Sequence, residues 1–381
     1  MKVAYITTDD AQNIKNWSGS TFYIGQALRN QLIDIEYIGS LPPLQNFLTR
    51  AKGSLYRRLL KQVYQCDRDP LTVKHYAKAV EKCLEEFKNI DCIFSQSTVP
   101  IAGLKTEKPI FFWTDATFAG MVDYYPNFKN LCWETLKQGS QLEQMALNQA
   151  KFAIYSSDWA AKSAIDNYQV DPAKVKVVSF GANLNKEKTL DEIKQLIAAK
   201  PTDVCKLLFM GVDWNQKGGS IALNVAEELN KGGLKTELTI VGCYPPDLEA
   251  IPNFVKCKGF ISKATQEGRE EIEKVFSENH FLILPTRAEA YGLVFCEANS
   301  FGLPNIATKT GGVPTIVKDG VNGQLFNLDD SISAYVNYIN EIFVNYSEYV
   351  ELALSSFNEY KTRLNWEVAG KKVKNIILGE D

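Results

Sequence analysis

Residues 281–326, FLILPTRAEAYGLVFCEANSFGLPNIATKTGGVPTIVKDGVNGQLF, contain the strongest structural pattern in this chain. The apolar run at 281–285 predicts a buried parallel strand, and the polar residues 286–292 predict a loop. Residues 293–302 predict a short helix, which the sequence Gly-Leu-Pro ends. The stretch therefore reads as one strand–loop–helix unit of a parallel α/β sheet.

The start of that predicted helix is suited to bind a diphosphate. The N–H groups of Tyr291, Gly292 and Leu293 have no acceptor within a helix, and the positive end of the helix dipole lies beside them. Gly292 lets the backbone approach a ligand closely, and Ala290 belongs to the same stretch of contacts. We therefore expect residues 290–293 to bind the phosphates of a nucleotide.

Two carboxylates flank this helix start. Glu297 lies about a turn and a half into the helix with its Cβ tilted towards the amino end, so its carboxylate is expected to reach a ribose on one side of the diphosphate. Glu289 lies in the preceding loop and is expected to accept hydrogen bonds from sugar hydroxyls on the other side. The alternative is that both are ordinary solvated glutamates.

The same residues resemble the retaining glycosyltransferases of the GT-B architecture, of the family 4 type (glycosyl transferases group 1). The resemblance rests on Glu289-x7-Glu297, on Thr-Gly-Gly-Val-Pro at 310–314 and on Asp-Gly-Val-Asn-Gly-Gln-Leu-Phe at 319–326, and it covers most of the second half of the chain. It implies an α/β protein of two Rossmann-like domains whose parallel sheets face across a cleft. It also implies metal-independent transfer of a hexose, with retention, from a nucleotide sugar such as a UDP- or GDP-hexose to a carbohydrate, lipid-linked or other hydroxyl acceptor.

The chain predicts two domains. Its 381 residues exceed the size of one compact core, and apolar strand candidates alternate with helix-length segments in both halves, as in parallel sheets. The polar stretch 183–204 interrupts this alternation. We therefore place an N-terminal acceptor-side domain at 1–184 and a nucleotide-sugar-binding domain at 185–364. In the resembling family the last helix returns to the first domain, which assigns 365–381 to it.

Composition restricts the classes of partner. The net charge of −3 argues against nucleic acid, which requires a basic binding face. The eight cysteines include no Cys-x-x-Cys pair, which favours reduced, buried thiols, and no metal-ligand spacing is found. No apolar run approaches the length of a membrane span and no signal peptide precedes the first strand, so we expect a cytoplasmic protein. The resemblance implies no cofactor besides the nucleotide-sugar substrate.

Lys217 follows the first predicted strand of the second domain, in Gly-Val-Asp-Trp-Asn-Gln-Lys-Gly-Gly at 211–219. An ammonium fixed there would stabilise the charge that develops on a departing nucleoside diphosphate, and in the resembling family a Lys-Gly at this turn does so. The alternative is a solvated turn lysine. The family usually has an arginine just after the strand's glycine, where this chain has Val212. Three residues are candidates for the missing positive charge: Lys258, Arg287 and Lys309.

Further contacts are predicted on both domains. Phe260 and Ile261 follow a short strand where the family pairs backbone groups with the nucleotide base, which leaves the identity of the base open. In the first domain Asp115 follows a strand and is the candidate contact to the sugar or acceptor; its alternative role is a helix N-cap. Gly19 and Ser20 are candidates to approach the diphosphate; their alternative is an N-capping serine beside a turn glycine.

Two rival functions stay open. A sugar-nucleotide epimerase on the same architecture needs ionisable groups placed for proton removal, which the chain's two histidines, His75 and His280, fit poorly. His280 lies at the entry of a buried strand and is expected to be structural. A non-catalytic protein that only binds a nucleotide sugar is favoured by the missing arginine. A dinucleotide oxidoreductase is disfavoured because no Gly-x-Gly-x-x-Gly follows a strand.

The segment 37–66 contains basic residues and no acidic residue, interleaved with apolar and aromatic side chains. This pattern predicts a basic amphipathic surface at 46–64. Such a surface would contact an anionic membrane peripherally, at its inner face, or a phosphate-bearing acceptor. The alternative is a surface helix with a solvated basic face.

Overall fold

The computed structural model describes residues 1–380 except 43, 45, 46, 185 and 247–250. Three predicted boundaries therefore lie outside the described residues: 46, the start of the basic segment; 185, the start of the second domain; and 381, the end of the chain. The chain divides into two compact units. Unit 1 comprises Met1–Ser179 and Ala369–Asp381, and unit 2 comprises Phe180–Val368.

Unit 1 is built on a parallel six-stranded sheet. Its strands are β1 Lys2–Ile6, β2 Asp34–Ile38, β3 Cys92–Ser95, β4 Ile110–Thr114, β5 Ala150–Tyr155 and β6 Val175–Val177. Their order in the sheet is β2-β1-β3-β4-β5-β6, and every neighbouring pair is parallel. The inner strands β3 and β4 are buried along their whole length, as expected for a sheet that helices cover on both faces.

Helices connect these strands. They are α1 Ser20–Asn30, α2 Phe47–Leu55, α3 Pro70–Glu86, α4 Phe118–Met121, α5 Trp133–Gln149 and α6 Asp158–Asn167. Fully buried side chains of the strands, such as Ile93 and Phe112, form one core with Val80 of α3 and Leu147 of α5. Removal of this apolar area from water is the main favourable term in folding of the unit.

Unit 2 repeats the parallel design with a different strand order. Its strands are β7 Cys205–Met210, β8 Thr236–Val241, β9 Val255–Cys257, β10 Phe281–Leu284, β11 Asn305–Thr308 and β12 Gly323–Phe326. The sheet order is β12-β11-β10-β7-β8-β9. The order reverses between β7 and β10, and in open α/β sheets the carboxyl ends of the strands at such a reversal are where ligands bind.

The helices of unit 2 follow the same alternation. They are α7 Leu190–Ala198, α8 Gly219–Lys231, α9 Gln266–Glu278, α10 Leu293–Ser300, α11 Val313–Ile316, α12 Ile332–Val344 and α13 Tyr346–Arg363. The last helix, α14 Trp366–Leu378, begins in unit 2 and ends in unit 1. Within unit 1, its Lys374 Nζ donates to the carbonyl oxygen of Gln31 at 3.0 Å.

The polar stretch 183–204, where the sequence analysis places the domain boundary, contains a helix. This helix is α7, whose start is fixed by a capping box between Thr189 and Glu192. Ile193 and Ile197 on this helix are buried, at 0% and 3% exposure. The charged residues around them conceal an apolar stripe of helical spacing.

Candidate functional site

The turn between β10 and α10 lies at the strand-order reversal of unit 2. All of β10 is buried, and the loop 285–292 leads to Gly292, the N-cap of α10, with a φ of 97° and no side-chain cap hydrogen bond. A Cβ at Gly292 would approach the Phe295 ring within 2.6 Å, so glycine is required there. The N–H groups of the first turn, from Leu293 onwards, are not capped by a side chain and suit an anion.

Hydrogen bonds from neighbouring strand ends hold the loop 285–292 in place. The Gly312 N–H donates to the carbonyl oxygen of Glu289 at 3.0 Å. The hydroxyl of Thr308, at the end of β11, donates to the carbonyl oxygen of Thr286. The Thr-Gly-Gly turn that ends at Gly312, which in the sequence is only part of a resemblance, thus fixes the backbone of Glu289.

The turn after β7 runs beside this loop. Gly218, the N-cap of α8 with a φ of 76°, lies so close that a Cβ would come within 2.1 Å of the Pro285 carbonyl oxygen. The Arg287 N–H donates to the carbonyl oxygen of Gln216 at 2.8 Å. These contacts place Lys217 next to the loop after β10.

Lys217 and Glu289 are direct partners. The Lys217 ammonium forms a hydrogen-bonded ion pair with the Glu289 carboxylate, and the two side chains are only 19% and 12% exposed. The pair connects the turns after β7 and β10, one on each side of the strand-order reversal. The solvated-lysine alternative for Lys217 is therefore wrong.

A second ion pair involves Glu297, the fifth residue of α10. Its carboxylate, 4% exposed, pairs with the ammonium of Lys263, which is 38% exposed. Lys263 lies in the loop between β9 and α9, where Arg269 Nη1 donates to its carbonyl oxygen at 3.2 Å. A buried carboxylate is costly unless it is paired, so the lysine offsets the burial of Glu297. No motif marks Lys263 in the sequence; its position after a strand of the second sheet is the one signal for it.

The two pairs place two lysine ammonium groups against carboxylates that lie just before α10 and within it. A diphosphate that displaced the carboxylates would meet two ammonium groups and the N–H groups of α10. The displaced carboxylates would then be available to accept hydrogen bonds from hydroxyl groups. This combination suits a diphosphate that carries a polyol on each side.

The side chains of two residues predicted to contact the nucleotide sugar, Tyr291 and Ala290, are packed inside unit 2. Tyr291 is 2% exposed; its hydroxyl donates to the Phe180 carbonyl oxygen at 2.7 Å, and the two rings pack with centroids 5.2 Å apart. Ala290 is also buried. The predicted role of both residues in binding therefore rests on backbone groups alone.

Phe260 and Ile261 lie in the same loop as Lys263. The Phe260 side chain is 73% exposed. The Gly242 N–H donates to the carbonyl oxygen of Gly259 at 2.8 Å, which ties this loop to the end of β8. Phe260 and Ile261 thus share the loop that reaches α10 through Lys263, and their contact with a base stays a prediction.

Gly19 and Ser20 lie at the start of α1, in unit 1. Trp17, Ser18 and Gly19 have φ angles of 45°, 53° and 88°, which is a costly conformation for the two non-glycine residues. Gly19 is the N-cap, and Ser20 is the first helical residue and is buried. The alternative of an N-capping serine is therefore wrong, and the predicted contact with a diphosphate stays a prediction.

Asp115 follows β4 in unit 1 and is half-buried. The N-cap of α4 is Thr117, whose hydroxyl accepts a hydrogen bond from the Gly120 N–H at 3.0 Å. The alternative of Asp115 as a helix cap is therefore wrong. Its predicted contact with the sugar or acceptor stays a prediction.

The candidates for the missing arginine differ in what they contact. Val212 is 69% exposed and adds no charge, and Lys258 is paired with Glu271. The other two candidates, Arg287 and Lys309, are exposed. Lys263, which the sequence analysis did not consider, supplies a cation to the site through its contact with Glu297.

His280 lies in the core of unit 2 with 0% exposure. The Lys206 N–H donates to its Nδ1 at 3.0 Å. Burial, with a smaller contribution from the nearby Lys200 charge, lowers the pKa of His280 to about 3. The ring is therefore neutral at physiological pH, in a setting that supports structure rather than proton transfer.

Within the described residues, no group of three or more His, Cys, Asp or Glu side chains is arranged to hold a metal ion. Across those residues, too, no helix is both long and apolar enough to cross a bilayer. All eight cysteines are free thiols.

Residues 205–345 match the family model described as Glycosyl transferases group 1. The matched region lies within unit 2 and contains both ion pairs. The resemblance of the second half of the chain to glycosyl transferases group 1 is therefore confirmed.

Curated relatives are similar over part of the chain. An uncharacterized 41.2 kDa protein in the cps region of Klebsiella pneumoniae is 27% identical over 268 residues, which are 64% of this chain and 72% of that protein. A D-inositol 3-phosphate glycosyltransferase of Mycobacterium leprae (strain Br4923) is 26% identical over 191 residues, 48% of this chain. The chain spans 44% of the length of that mycobacterial relative.

Solved structures share the fold over the whole chain. HepE of Anabaena, solved in complex with UDP and glucose, superposes with a TM-score of 0.65 at 16% identity and 99% coverage of both chains. A sucrose-phosphate synthase of Thermosynechococcus elongatus gives a TM-score of 0.69 at 17% identity, over 100% of this chain and 99% of that chain. These similarities confirm the predicted α/β GT-B fold.

Proposed function

We propose that this chain, whose second unit carries a glycosyl transferases group 1 domain, transfers a hexose from a nucleotide sugar to a hydroxyl acceptor with retention of configuration. The observation that carries the proposal is the pair of lysine–glutamate contacts around the start of α10. Glu297 is assigned to the ribose, Glu289 to the donor sugar, and Lys217 with the N–H groups at Gly292 to the diphosphate.

Donor binding is an exchange of partners in this proposal. The diphosphate takes Lys217 and Lys263 from the two carboxylates, and the sugar and ribose hydroxyls then donate to Glu289 and Glu297. Charge-assisted hydrogen bonds replace charge-assisted hydrogen bonds, so no buried charge is left without a partner. When the glycosidic bond to phosphate breaks, negative charge grows on the leaving diphosphate, and a lysine already fixed beside it lowers the barrier.

Retention needs no nucleophile from the protein in this scheme. The departing phosphate oxygen takes the acceptor's proton on the face from which the sugar is attacked, so the proton and the leaving group stay on one side. Asp115 in unit 1 is assigned to the acceptor side, and Gly19 and Ser20 are assigned to the diphosphate. Charge neutralisation by Lys217 and the helix dipole takes the role that a divalent cation would otherwise have.

UDP-glucose is the first donor to test, because the structurally similar HepE was solved with UDP and glucose, and a GDP-hexose is the second. The acceptor is a carbohydrate, a lipid-linked sugar or another hydroxyl compound. We place the reaction in the cytoplasm, which the eight free thiols support because disulfides are rare in reducing compartments.

The test is incubation of the protein with a panel of nucleotide sugars, followed by measurement of released nucleoside diphosphate and of the sugar product. Slow release by the wild type, and its loss in Glu297→Gln but not in Glu271→Gln, supports a transferase. Glu271 is a matched control because it also pairs with a lysine, Lys258, but is far less buried, with 35% of its side chain exposed. Conversion of the donor into its epimer would establish the epimerase instead. Tight binding of nucleotide sugars that stay chemically unchanged would establish the non-catalytic binding protein.

A further inference from the structure

Large apolar side chains are exposed together on residues 47–63 of unit 1. They are Phe47, Leu48, Leu55, Leu59, Leu60 and Val63, and the least exposed of them is 42% accessible. Single exposed apolar residues are common on soluble proteins, whereas contiguous ones mark a contact surface.

The segment is attached to unit 1 by its polar side. In α2 only Thr49 is buried. Lys52 Nζ binds Glu134 of α5 at 2.7 Å, and the hydroxyl of Tyr56 donates to the same carboxylate at 3.2 Å. An ordinary surface helix packs its apolar stripe on the core. Here the order is inverted, because polar contacts face the protein and the leucines face outward.

Trp133, the first residue of α5, extends this surface. It is 65% exposed and precedes Glu134, which binds Lys52 of the segment. The Cys132 N–H donates to the Val63 carbonyl oxygen at 2.9 Å, so the start of α5 and the segment are joined. We call the exposed part of 47–63 together with Trp133 the outward face.

The outward face is also basic. Arg50, Arg57, Arg58 and Lys61 are exposed on it, and residues 47–63 contain no aspartate or glutamate. This concentration of positive charge stands on a chain whose net charge is −3. Exposed leucines, a tryptophan and arginines on one face are the combination that binds the interface of an anionic bilayer.

We propose that the outward face docks on the surface of a bilayer that contains anionic lipids. The leucines and Trp133 enter the boundary between headgroups and acyl chains, and the arginines bind the headgroup phosphates. A second copy of the chain fits less well, because face against face would bring arginines together. Nucleic acid would leave the exposed leucines in water. The proposal rests on unit 1 and does not depend on the proposed transferase activity.

The test is sedimentation of the full chain with phosphatidylcholine vesicles, with and without phosphatidylglycerol, over a range of salt concentrations and without any donor. Wild type should bind the anionic vesicles and be released by salt. Arg57→Gln/Arg58→Gln should weaken binding by about thirtyfold, since each basic residue near the surface contributes about a factor of five. Lys371→Gln/Lys372→Gln, an adjacent exposed basic pair on α14, is the matched control and should bind as wild type.

A second pair of variants tests insertion. Leu59→Ser/Leu60→Ser should weaken vesicle binding, whereas Leu328→Ser/Val344→Ser, at comparably exposed apolar positions elsewhere, should not. Brominated lipids should quench fluorescence of the wild type more than that of Trp133→Phe. Absence of sedimentation, equal losses in variant and control, or a dimer in size-exclusion chromatography that Leu59→Ser/Leu60→Ser disperses without vesicles would each overturn the proposal.

Discussion

Lys263 and Glu297, which lie 34 residues apart in the chain, form an ion pair within unit 2. The carboxylate is 4% exposed and the lysine side chain 38%. Because of this unequal burial, loss of the partner costs more free energy for Glu297 than for Lys263. Water can solvate an unpaired Lys263, but it reaches Glu297 poorly.

The first prediction is an asymmetric effect on stability. Lys263→Met should lower the free energy of unfolding by about 2 kcal/mol because it leaves a buried carboxylate without its partner, and Glu297→Gln should lower it by less than about 1 kcal/mol. Urea unfolding at neutral pH measures both. In the pair of Lys258 and Glu271, whose side chains are 32% and 35% exposed, Lys258→Met and Glu271→Gln should each cost less than about 1 kcal/mol. Equal losses from Lys263→Met and Glu297→Gln would contradict the argument.

The second prediction separates the ribose contact from the phosphate contact. If Glu297 accepts hydrogen bonds from the ribose, Glu297→Gln should weaken binding of UDP by roughly tenfold to a hundredfold, the range for hydrogen bonds to a charged group. Binding of pyrophosphate, which has no ribose, should stay the same or tighten, because Lys263 is freed from its carboxylate. Isothermal titration calorimetry of both ligands decides; a parallel loss for pyrophosphate would exclude the assigned role.

The third prediction concerns Lys217. Lys217→Ala should reduce kcat by about 100- to 1000-fold, as loss of a preorganised group that stabilises developing charge does, and it should also destabilise the fold because Glu289 is only 12% exposed. Lys217→Ala/Glu289→Gln removes the unpaired carboxylate, so it should recover stability but not activity. Rates of nucleoside diphosphate release together with thermal unfolding test this. Recovery of both by the double variant would mean that Lys217 serves structure alone.

The strand–loop–helix turn could be predicted from the sequence because its determinants are local: an apolar run, a glycine at the helix start and a Gly-Leu-Pro stop. The role of Lys217 could also be predicted from the sequence, because this residue follows a strand of the same sheet. The role of Lys263 could not be predicted, because its partner lies 34 residues away and only the folded sheet brings the loop after β9 to α10. The helix α7 was hidden because a few buried isoleucines among charged residues give a weak pattern. The caps at Gly19 and Thr117 depended on backbone angles that composition does not reveal.

The fourth prediction isolates the steric role of Gly292. Gly292→Ala introduces a Cβ within 2.6 Å of Phe295 at a φ of 97°, whereas Gly320→Ala adds a Cβ at a φ of 69° with no atom within 4 Å. Both variants should lose about 1 kcal/mol to the left-handed backbone conformation. Only Gly292→Ala should in addition abolish binding of nucleoside diphosphate, because its clash displaces the start of α10. Calorimetry and thermal unfolding of the two variants test this, and normal binding by Gly292→Ala would refute the helix-start site.

The fifth prediction follows from Lys200, a buried lysine of unit 2. It is 6% exposed, and its Nζ donates to the Tyr349 hydroxyl at 3.1 Å. Burial lowers the pKa of Lys200 from 10.5 to about 7. Between these two pH values the unfolded chain binds a proton that the native protein does not, so stability rises with pH across this window; below pH 7 both states are protonated and the full cost of burying the charge is present.

Lys200→Met should therefore be more stable than the wild type by a few kcal/mol at about pH 6, and this advantage should shrink steadily as the pH rises towards 10. The lost hydrogen bond to Tyr349 adds a constant penalty that does not vary with pH, so the slope is the informative quantity. Lys235→Met, at an exposed position, is the control and should differ from the wild type by the same small amount at every pH. Chemical unfolding at pH 6, 8 and 10 measures the slope, and a Lys200→Met difference that stays flat across this range would show that Lys200 is already solvated, and charged, in the native protein.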